Sequence, residues 1–480
     1  MQREQALDHR TMNPLRDADR FLRAAAYGVL SRRDRLSGWK QHREAFLECT
    51  RMDAVTLARH TEHKLRSVVK HAYETSPYYA EAWDKAGFRP TDSFRFEDLS
   101  RIPFLTKEIV KNHKAALMSR AFDPAELDLS YTGGTTGTQT SFYLNHGCWT
   151  ARFGRRWGIH QLCGYRPGMR RALVWGVHAD LLDPGLSRTI KRRLRKYATS
   201  DETLCCTVMS AASMLDYHAR LLRFRPEIMY GYPSALVQLG RFMEQRGLPP
   251  VCAPRIITTA ERLSDVRRRE LARLFGGEVF SLYGTREYGC VAFECGNHGG
   301  LHIDAGSVIV EIIDRGGPVE PGQSGEIVIT DLLNYGMPFI RSRTGDLGAL
   351  SPEPCGCGSP LPLLTSLDGR SSEIVYRPDG SLVPGLMLTD LLSDMPSIRL
   401  CQYVQHSAES IDVRLVVTDS FTERERDEVE RQVRGIMGQE ISVRIRLVDD
   451  IERNPRSGKI QEVICKVSRH GAAMAQEAHG

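Results

Sequence analysis

Apolar residues recur near helical spacing between residues 20 and 80, at Leu57, Leu65, Val68, Val69 and Ala72. The spacing predicts helix there, ended by Pro77. From about Leu127 to Leu282 the texture changes. Short apolar runs (RALVWGV, EIMYGYP, PRIITTA and EVFSLYG) alternate with longer helical patterns. That alternation predicts an α/β fold, a mostly parallel, doubly wound sheet with helices on both faces. Between Leu301 and Asp346, SVIVEIID and GEIVIT are β-rich and separated by Gly and Pro turns, which predicts an antiparallel or barrel-like part.

The last ~110 residues read as a separate small α+β unit, because the period changes again. IDVRLVV puts Ile411, Val413 and Leu415 on one strand face, and ISVRIRLV does the same with Ile441, Val443, Ile445 and Leu447. Between them Thr422 and Glu425 have capping-box spacing, and Val429, Val433, Ile436 and Met437 mark the buried side of a helix. The expected organisation is a large domain over 1–368, with its β-rich part near 300–365, and a lid-sized domain over 369–480.

Composition narrows the class. A chain of 480 residues exceeds what a single core usually absorbs. With 41% hydrophobic and 26% charged residues it has a globular profile, and no run is long enough to span a bilayer. The N-terminal MQREQALDHRTMNPLRDADR is too polar for a secretory signal, so the expected compartment is the cytoplasm. A net charge of +6 does not argue for nucleic acid. The basic stretch from Ser187 to Ala198 reads first as a solvated helix face, and second as a patch for a polyanion, a membrane surface or cofactor phosphates. Twelve cysteines without a small-scaffold framework favour reduced thiols or a metal site over disulfides.

Five stretches carry candidate chemistry. Thr132, Gly133, Gly134, Thr135, Thr136, Gly137, Thr138 and Gln139 form a loop whose backbone can approach a ligand closely and whose hydroxyls can donate to oxyanions. It suits phosphate but lacks the Gly-Lys-Ser/Thr of a Walker loop. Tyr283, Gly284, Thr285, Arg286 and Glu287 follow the strand-like EVFSL, where a carboxylate can hold Mg²⁺ and a ring can stack on a base. In Arg341-Ser342-Arg343-Thr344-Gly345-Asp346, the Asp beside a tight turn can accept from both ribose hydroxyls. Asp368-Gly369-Arg370-Ser371-Ser372 and Asn454-Pro455-Arg456-Ser457-Gly458-Lys459 complete the set. Each alone is equally an ordinary turn or surface loop.

In this order and spacing the five resemble the adenylate-forming superfamily of acyl-CoA synthetases, peptide-synthetase adenylation domains and luciferases. Within it they look most like the phenylacetate-CoA ligase branch and its capsule-biosynthesis-associated relatives, with YYAEAWDKAGF, IPFLTKEIV, RPEIMYGYPSAL, ITTAERLSD and YGTREYG in support. The resemblance covers residues 65 to 465. It implies an ATP-dependent, AMP-forming ligase that makes an acyl-AMP from a carboxylic acid, releases pyrophosphate and passes the acyl group to a thiol, CoA first among the candidates. It implies that Thr132 to Thr138 grip the ATP phosphates, Tyr283 stacks on adenine, Glu287 binds Mg²⁺, Asp346 and Arg370 hold the ribose, and Lys459 bridges carboxylate and α-phosphate. Arg286, Ser372, Thr138 and Gln139 depart from the family's usual residues at their positions.

Cys295 lies in ECGNHGGLH with His298 and His302, and Cys355-Gly356-Cys357 follows later. A Cys-x-Cys pair with a distant Cys and His can complete a tetrahedral zinc site. The choice is Cys295, His302, Cys355 and Cys357, with His298 or Cys290 as substitutes and free thiols as the alternative. The resemblance implies that such a zinc is structural. The acid is expected near Tyr230, Gly231, Tyr232, Pro233 and Ser234, near Thr259, Ala260 and Glu261, and near Gly284, whose aromatic walls and backbone NH groups suit an aryl or small acyl group. Tyr230 and Tyr232 are equally readable as core. Other acceptors (an amine, a sugar amine or a carrier-protein thiol) and a non-catalytic nucleotide-binding scaffold stay open. So does the oligomeric state, a homodimer included.

Overall fold

The computed structural model describes residues 38–467 apart from 132–139, 167, 177–199, 207–208, 315, 371–373, 380, 385, 390, 393–394, 396 and 454–459. The glycine–threonine loop, the basic stretch Ser187 to Ala198, Ser372 and Lys459 therefore lie outside the described residues, as does the side chain of Arg370.

Helices Trp39–Cys49, Ala54–Thr75 and Pro77–Lys85 open the described chain. Leu57, Leu65, Val68, Val69 and Ala72 all point inward, as their spacing predicts. Helix Ala54–Thr75 ends just before Pro77, as expected, and Pro77 then begins a further helix. It occupies the first turn of that helix, where its missing N–H costs nothing and its fixed φ suits the start.

Strands Glu278–Thr285, Arg255–Thr259, Ile228–Gly231, Arg171–Trp175 and Asp201–Cys205 run parallel in that spatial order. Their side chains alternate between two cores. Ile228, Ile257 and Phe280 pack on one face with Phe46 and Ile159, from helices Trp39–Cys49 and His146–Leu162. Met229, Ile256 and Val279 pack on the other with Leu221, Leu236 and Leu271, from Ala211–Phe224, Pro233–Gln245 and Asp265–Phe275. Helices on both faces make the sheet doubly wound, and strands buried on both sides explain the unbroken apolar runs.

The β-rich part continues the same sheet. Strands Gly289–Glu294, Leu301–Ile303, Leu363–Arg370, Ser342–Leu350, Gly325–Asp331, Val308–Asp314 and Gly317–Pro318 follow in space, all antiparallel. The antiparallel expectation is met. The barrel-like one is not: the twelve strands form one open order, because Glu278–Thr285 pairs on one side with a parallel strand and on the other with an antiparallel one.

Residues beyond Ile398 form a four-stranded sheet, Ser442–Leu447, Ser410–Val417, Ile398–Ser407 and Val463–Cys465, covered by helix Glu423–Met437. Thr422 and Glu425 make the reciprocal cap at its start. Ile411, Val413 and Leu415 are fully buried, whereas Leu447 is 52% exposed, at the end of an edge strand. The unit touches the large sheet's helices where Arg241 donates to the Ile398 carbonyl at 3.1 Å, Arg267 pairs with Glu462, and Arg453 donates to Gln238.

Candidate active site

The carboxyl ends of the parallel strands carry several of the predicted residues. Glu278–Thr285 carries Tyr283, Gly284 and Thr285, and the turn after it carries Arg286 and Glu287. The Thr285 hydroxyl closes that turn by accepting from the Tyr288 N–H at 3.2 Å. Gly284 sits where a Cβ would lie 2.6 Å from the Gly289 carbonyl, so the turn excludes any side chain there. The Glu287 carboxylate has no hydrogen-bond partner among the described residues, while its carbonyl accepts from Arg152.

Tyr283 is nearly buried, and its hydroxyl donates to Asp346 Oδ2 at 2.7 Å. Burial and the neighbouring carboxylate raise its pKa, so the phenol stays a donor. Asp346 stands opposite Arg370 in the register of strands Ser342–Leu350 and Leu363–Arg370. Asp346 and Arg370 thus face each other on adjoining strands, and the Tyr283 side chain reaches Asp346 from a strand further along the same sheet. Residues 132–139 fall in sequence between strands Leu127–Tyr131 and Ser141–Asn145, an antiparallel pair aligned Tyr131 with Ser141.

Arg152 was not singled out by the sequence. It projects from helix His146–Leu162 to pair with Asp331 at 2.6 Å, both side chains nearly buried, and so ties the Glu287 turn to the antiparallel half. The helix comes close enough because Gly154 and Gly158 face Trp39–Cys49: Cβ atoms there would meet the Trp39 carbonyl at 2.2 Å and the Phe46 ring at 2.3 Å.

The candidate acyl pocket is aromatic. Trp175, also missed, lies 4.7 Å from Tyr232 and 5.8 Å from Tyr230 between ring centroids. Tyr232 is buried and caps Pro233–Gln245, and Tyr230 meets His160 at 5.6 Å. Ala260 has φ 69°, a left-handed conformation that an alanine adopts only when its surroundings impose it. Glu261 accepts from the Ser234 N–H and hydroxyl, each at 3.0 Å, so its carboxylate clamps a helix N-terminus beside the pocket.

Cys295, His302, Cys355 and Cys357 converge, with their ligand atoms all within 4.8 Å of one another. Cys295 Sγ lies 3.7 Å from Cys355 Sγ, and Cys357 Sγ lies 3.4 Å from His302 Nε2. Zn–S near 2.3 Å and Zn–N near 2.0–2.1 Å give tetrahedral edges of about 3.8 and about 3.6 Å, so the donor set fits zinc. Four protein ligands leave no open position for water, as a structural ion requires. Burial lowers the His302 pKa, which keeps an imidazole lone pair available. The substitutes are engaged elsewhere: His298 faces Glu278 and Glu294, and the Cys290 thiol faces the Tyr283 and Ala292 carbonyls.

Comparison with known proteins agrees with this layout. The family model described as the CapK C-terminal domain matches residues 375–466. A phenylacetate-coenzyme A ligase of Pseudomonas putida is 27% identical over 386 residues, 77% of this chain and 83% of that protein. The Thermus thermophilus enzyme of the same name is 25% identical over 374 residues, 75% of this chain and 81% of that one. A crystal structure of 2-hydroxyisobutyryl-CoA ligase in the postadenylation state superposes with a TM-score of 0.72 at 20% identity, covering 89% of this chain and 93% of that one, which establishes a shared fold. No helix among the described residues is long and apolar enough to cross a membrane.

Proposed function

We propose that this chain, a homologue of the phenylacetate-CoA ligases with the fold of adenylate-forming enzymes, is an AMP-forming ligase that activates a carboxylic acid with ATP and transfers the acyl group to CoA. The observation that carries the reading is the convergence of Tyr283, Asp346 and the Arg370 backbone beside a turn that presents the Glu287 carboxylate.

The substrate carboxylate attacks the α-phosphorus of ATP. A C–O–P bond forms, the α–β anhydride bond breaks and pyrophosphate leaves. Two anions meet in that step, so cations at the developing charge lower its barrier. Glu287 would hold Mg²⁺ there. Thr132 to Gly137 would donate to the phosphates, with Thr285 holding the turn beside them. Tyr283 would fix Asp346 on the ribose, with Arg370 beside it, and offer its ring to adenine. Lys459 would reach the carboxylate from a C-terminal unit beginning near residue 369, which can withdraw before CoA enters. The thiol sulfur then attacks the acyl carbonyl, the bond to AMP breaks, and the thiol proton goes to solvent. Cys295, His302, Cys355 and Cys357 would bind a zinc that pins the β-rich part.

Acid-dependent ATP–pyrophosphate exchange tests the reading. Exchange with at least one acid, lost in Lys459→Ala at an unchanged melting temperature, supports it. A flat response across a broad acid panel sinks it in favour of a nucleotide-binding scaffold. Product analysis with CoA, amines and carrier proteins tests the acceptor.

A further inference from the structure

Arg152, Arg156 and His160 occur at i, i+4 and i+8 of helix His146–Leu162, so they lie on one stripe of its surface. The two outer members show where the stripe points. Arg152 reaches the Glu287 carbonyl and packs its side chain at Gly289. His160 lies against Tyr230. Arg156 lies between them on the stripe, on the side of the helix that carries His160 towards Tyr230, one of the residues expected at the acyl group. Its positive charge acts on Tyr230, Cys290 and His160.

The neighbouring arginines are neutralised within the protein: Arg152 by Asp331, Arg155 by Asp304 and Arg171 by Asp201. Arg156 is exposed and meets no carboxylate within ion-pair distance among the described residues; it rests over the Phe153 ring at 5.6 Å. Two further polar groups beside it are unspent. His160 Nε2 is buried without a hydrogen-bond partner, and the Tyr230 hydroxyl makes no hydrogen bond among the described residues. Leaving a buried polar atom unpaired is costly, and here one such atom, His160 Nε2, lies beside a half-buried phenol hydroxyl and a guanidinium that meets no carboxylate among the described residues, a set of groups suited to an acceptor.

We infer that the acid activated here is aromatic and carries a second anionic group, which Arg156 pairs with and Tyr230 and His160 hydrogen-bond, while Trp175 and Tyr232 enclose the ring. The inference rests on the acyl-activation reading and names its substrate class. Burial holds the Tyr230 phenol protonated, with a pKa pushed up to about 12, and holds the His160 imidazole neutral, so both can donate to the anion.

The test is ATP–pyrophosphate exchange by the full chain with phenylacetate, 4-hydroxyphenylacetate, 2-carboxyphenylacetate and 4-carboxyphenylacetate. The expected result is a kcat/KM for one carboxylated acid at least about tenfold above that for phenylacetate. Arg156→Met should reduce that ratio by a similar factor and Arg156→Lys should restore part of it, with melting temperatures unchanged because the side chain is exposed. A wild-type preference for phenylacetate, or a ratio unmoved by Arg156→Met, overturns the inference and leaves the activity standing. Exchange with none of a broader acid panel removes the activity and the inference with it.

Discussion

The Tyr283 hydroxyl donates to the Asp346 carboxylate at 2.7 Å, joining the last parallel strand to a strand of the antiparallel half. A carboxylate held by a buried phenol keeps a fixed orientation, as the ribose-binding role proposed for Asp346 would need. Tyr283→Phe removes the donor and keeps the ring. Its KM for ATP should rise about tenfold, the equivalent of ~1.4 kcal/mol, with a smaller change in kcat. Steady-state exchange kinetics read this directly, and an unchanged KM would reduce the bond to packing.

Arg155 and Asp304 form a pair with both side chains almost fully buried, and Ser307 adds a 2.6 Å bond to the same carboxylate. Arg155→Met leaves a buried charge with one hydroxyl. The loss should be about 3–5 kcal/mol, and Arg155→Met with Asp304→Leu should recover much of it. Thermal melting of both variants checks the order. Equal melting temperatures would show that the pair contributes little.

Cys295 and His302 flank the turn between strands Gly289–Glu294 and Leu301–Ile303, and Cys355 and Cys357 lie in the connection between Ser342–Leu350 and Leu363–Arg370. An ion there staples two connections far apart in sequence. Elemental analysis of the purified chain should find zinc near one equivalent, and Cys355→Ser should lose it and melt several degrees lower. A metal-free wild type with the same melting temperature refutes the site.

His160 is buried among Trp157, Tyr165 and Tyr230, and desolvation, aided by the charges of Arg171 and Arg156, holds its pKa well below the ordinary 6.5. In the unfolded chain it takes up a proton near that ordinary value. The unfolded state therefore binds more protons below it, and stability falls as pH drops from about 6.5 towards the folded-state pKa. His42, His60 and His302 are shifted the same way. His160→Gln should flatten the acid limb of melting temperature against pH without moving the plateau slope above pH 7. An unaltered limb would show that His160 charges freely in the folded chain.

Local pattern was enough for the element types. The alternating runs from RALVWGV to EVFSLYG became parallel strands, and the Thr422–Glu425 spacing became a cap, because hydrophobic period and hydroxyl placement act over a few residues. The cysteine and histidine choice was also legible, since the ligand types and Cys-x-Cys spacing are chemical signals in themselves. Pro77 stops one helix, as its sequence position indicates, and also starts another, which the proline by itself does not announce. Leu447 was misjudged because a strand's period says nothing about whether a helix covers its end.

What the chain could not disclose by itself is long-range pairing. Asp331 meets Arg152 across 179 positions, and Tyr283 meets Asp346 across 63. Glu261 spends its carboxylate on the N–H and hydroxyl of Ser234, whereas Arg156 rests over the Phe153 ring and meets no carboxylate among the described residues. Sequence alone determined which segments become strands and helices and which residue types are available for chemistry. The tertiary structure decided which charges are cancelled and which meet no carboxylate among the described residues, because strand order and helix docking are set by burial over the whole core rather than by any local period.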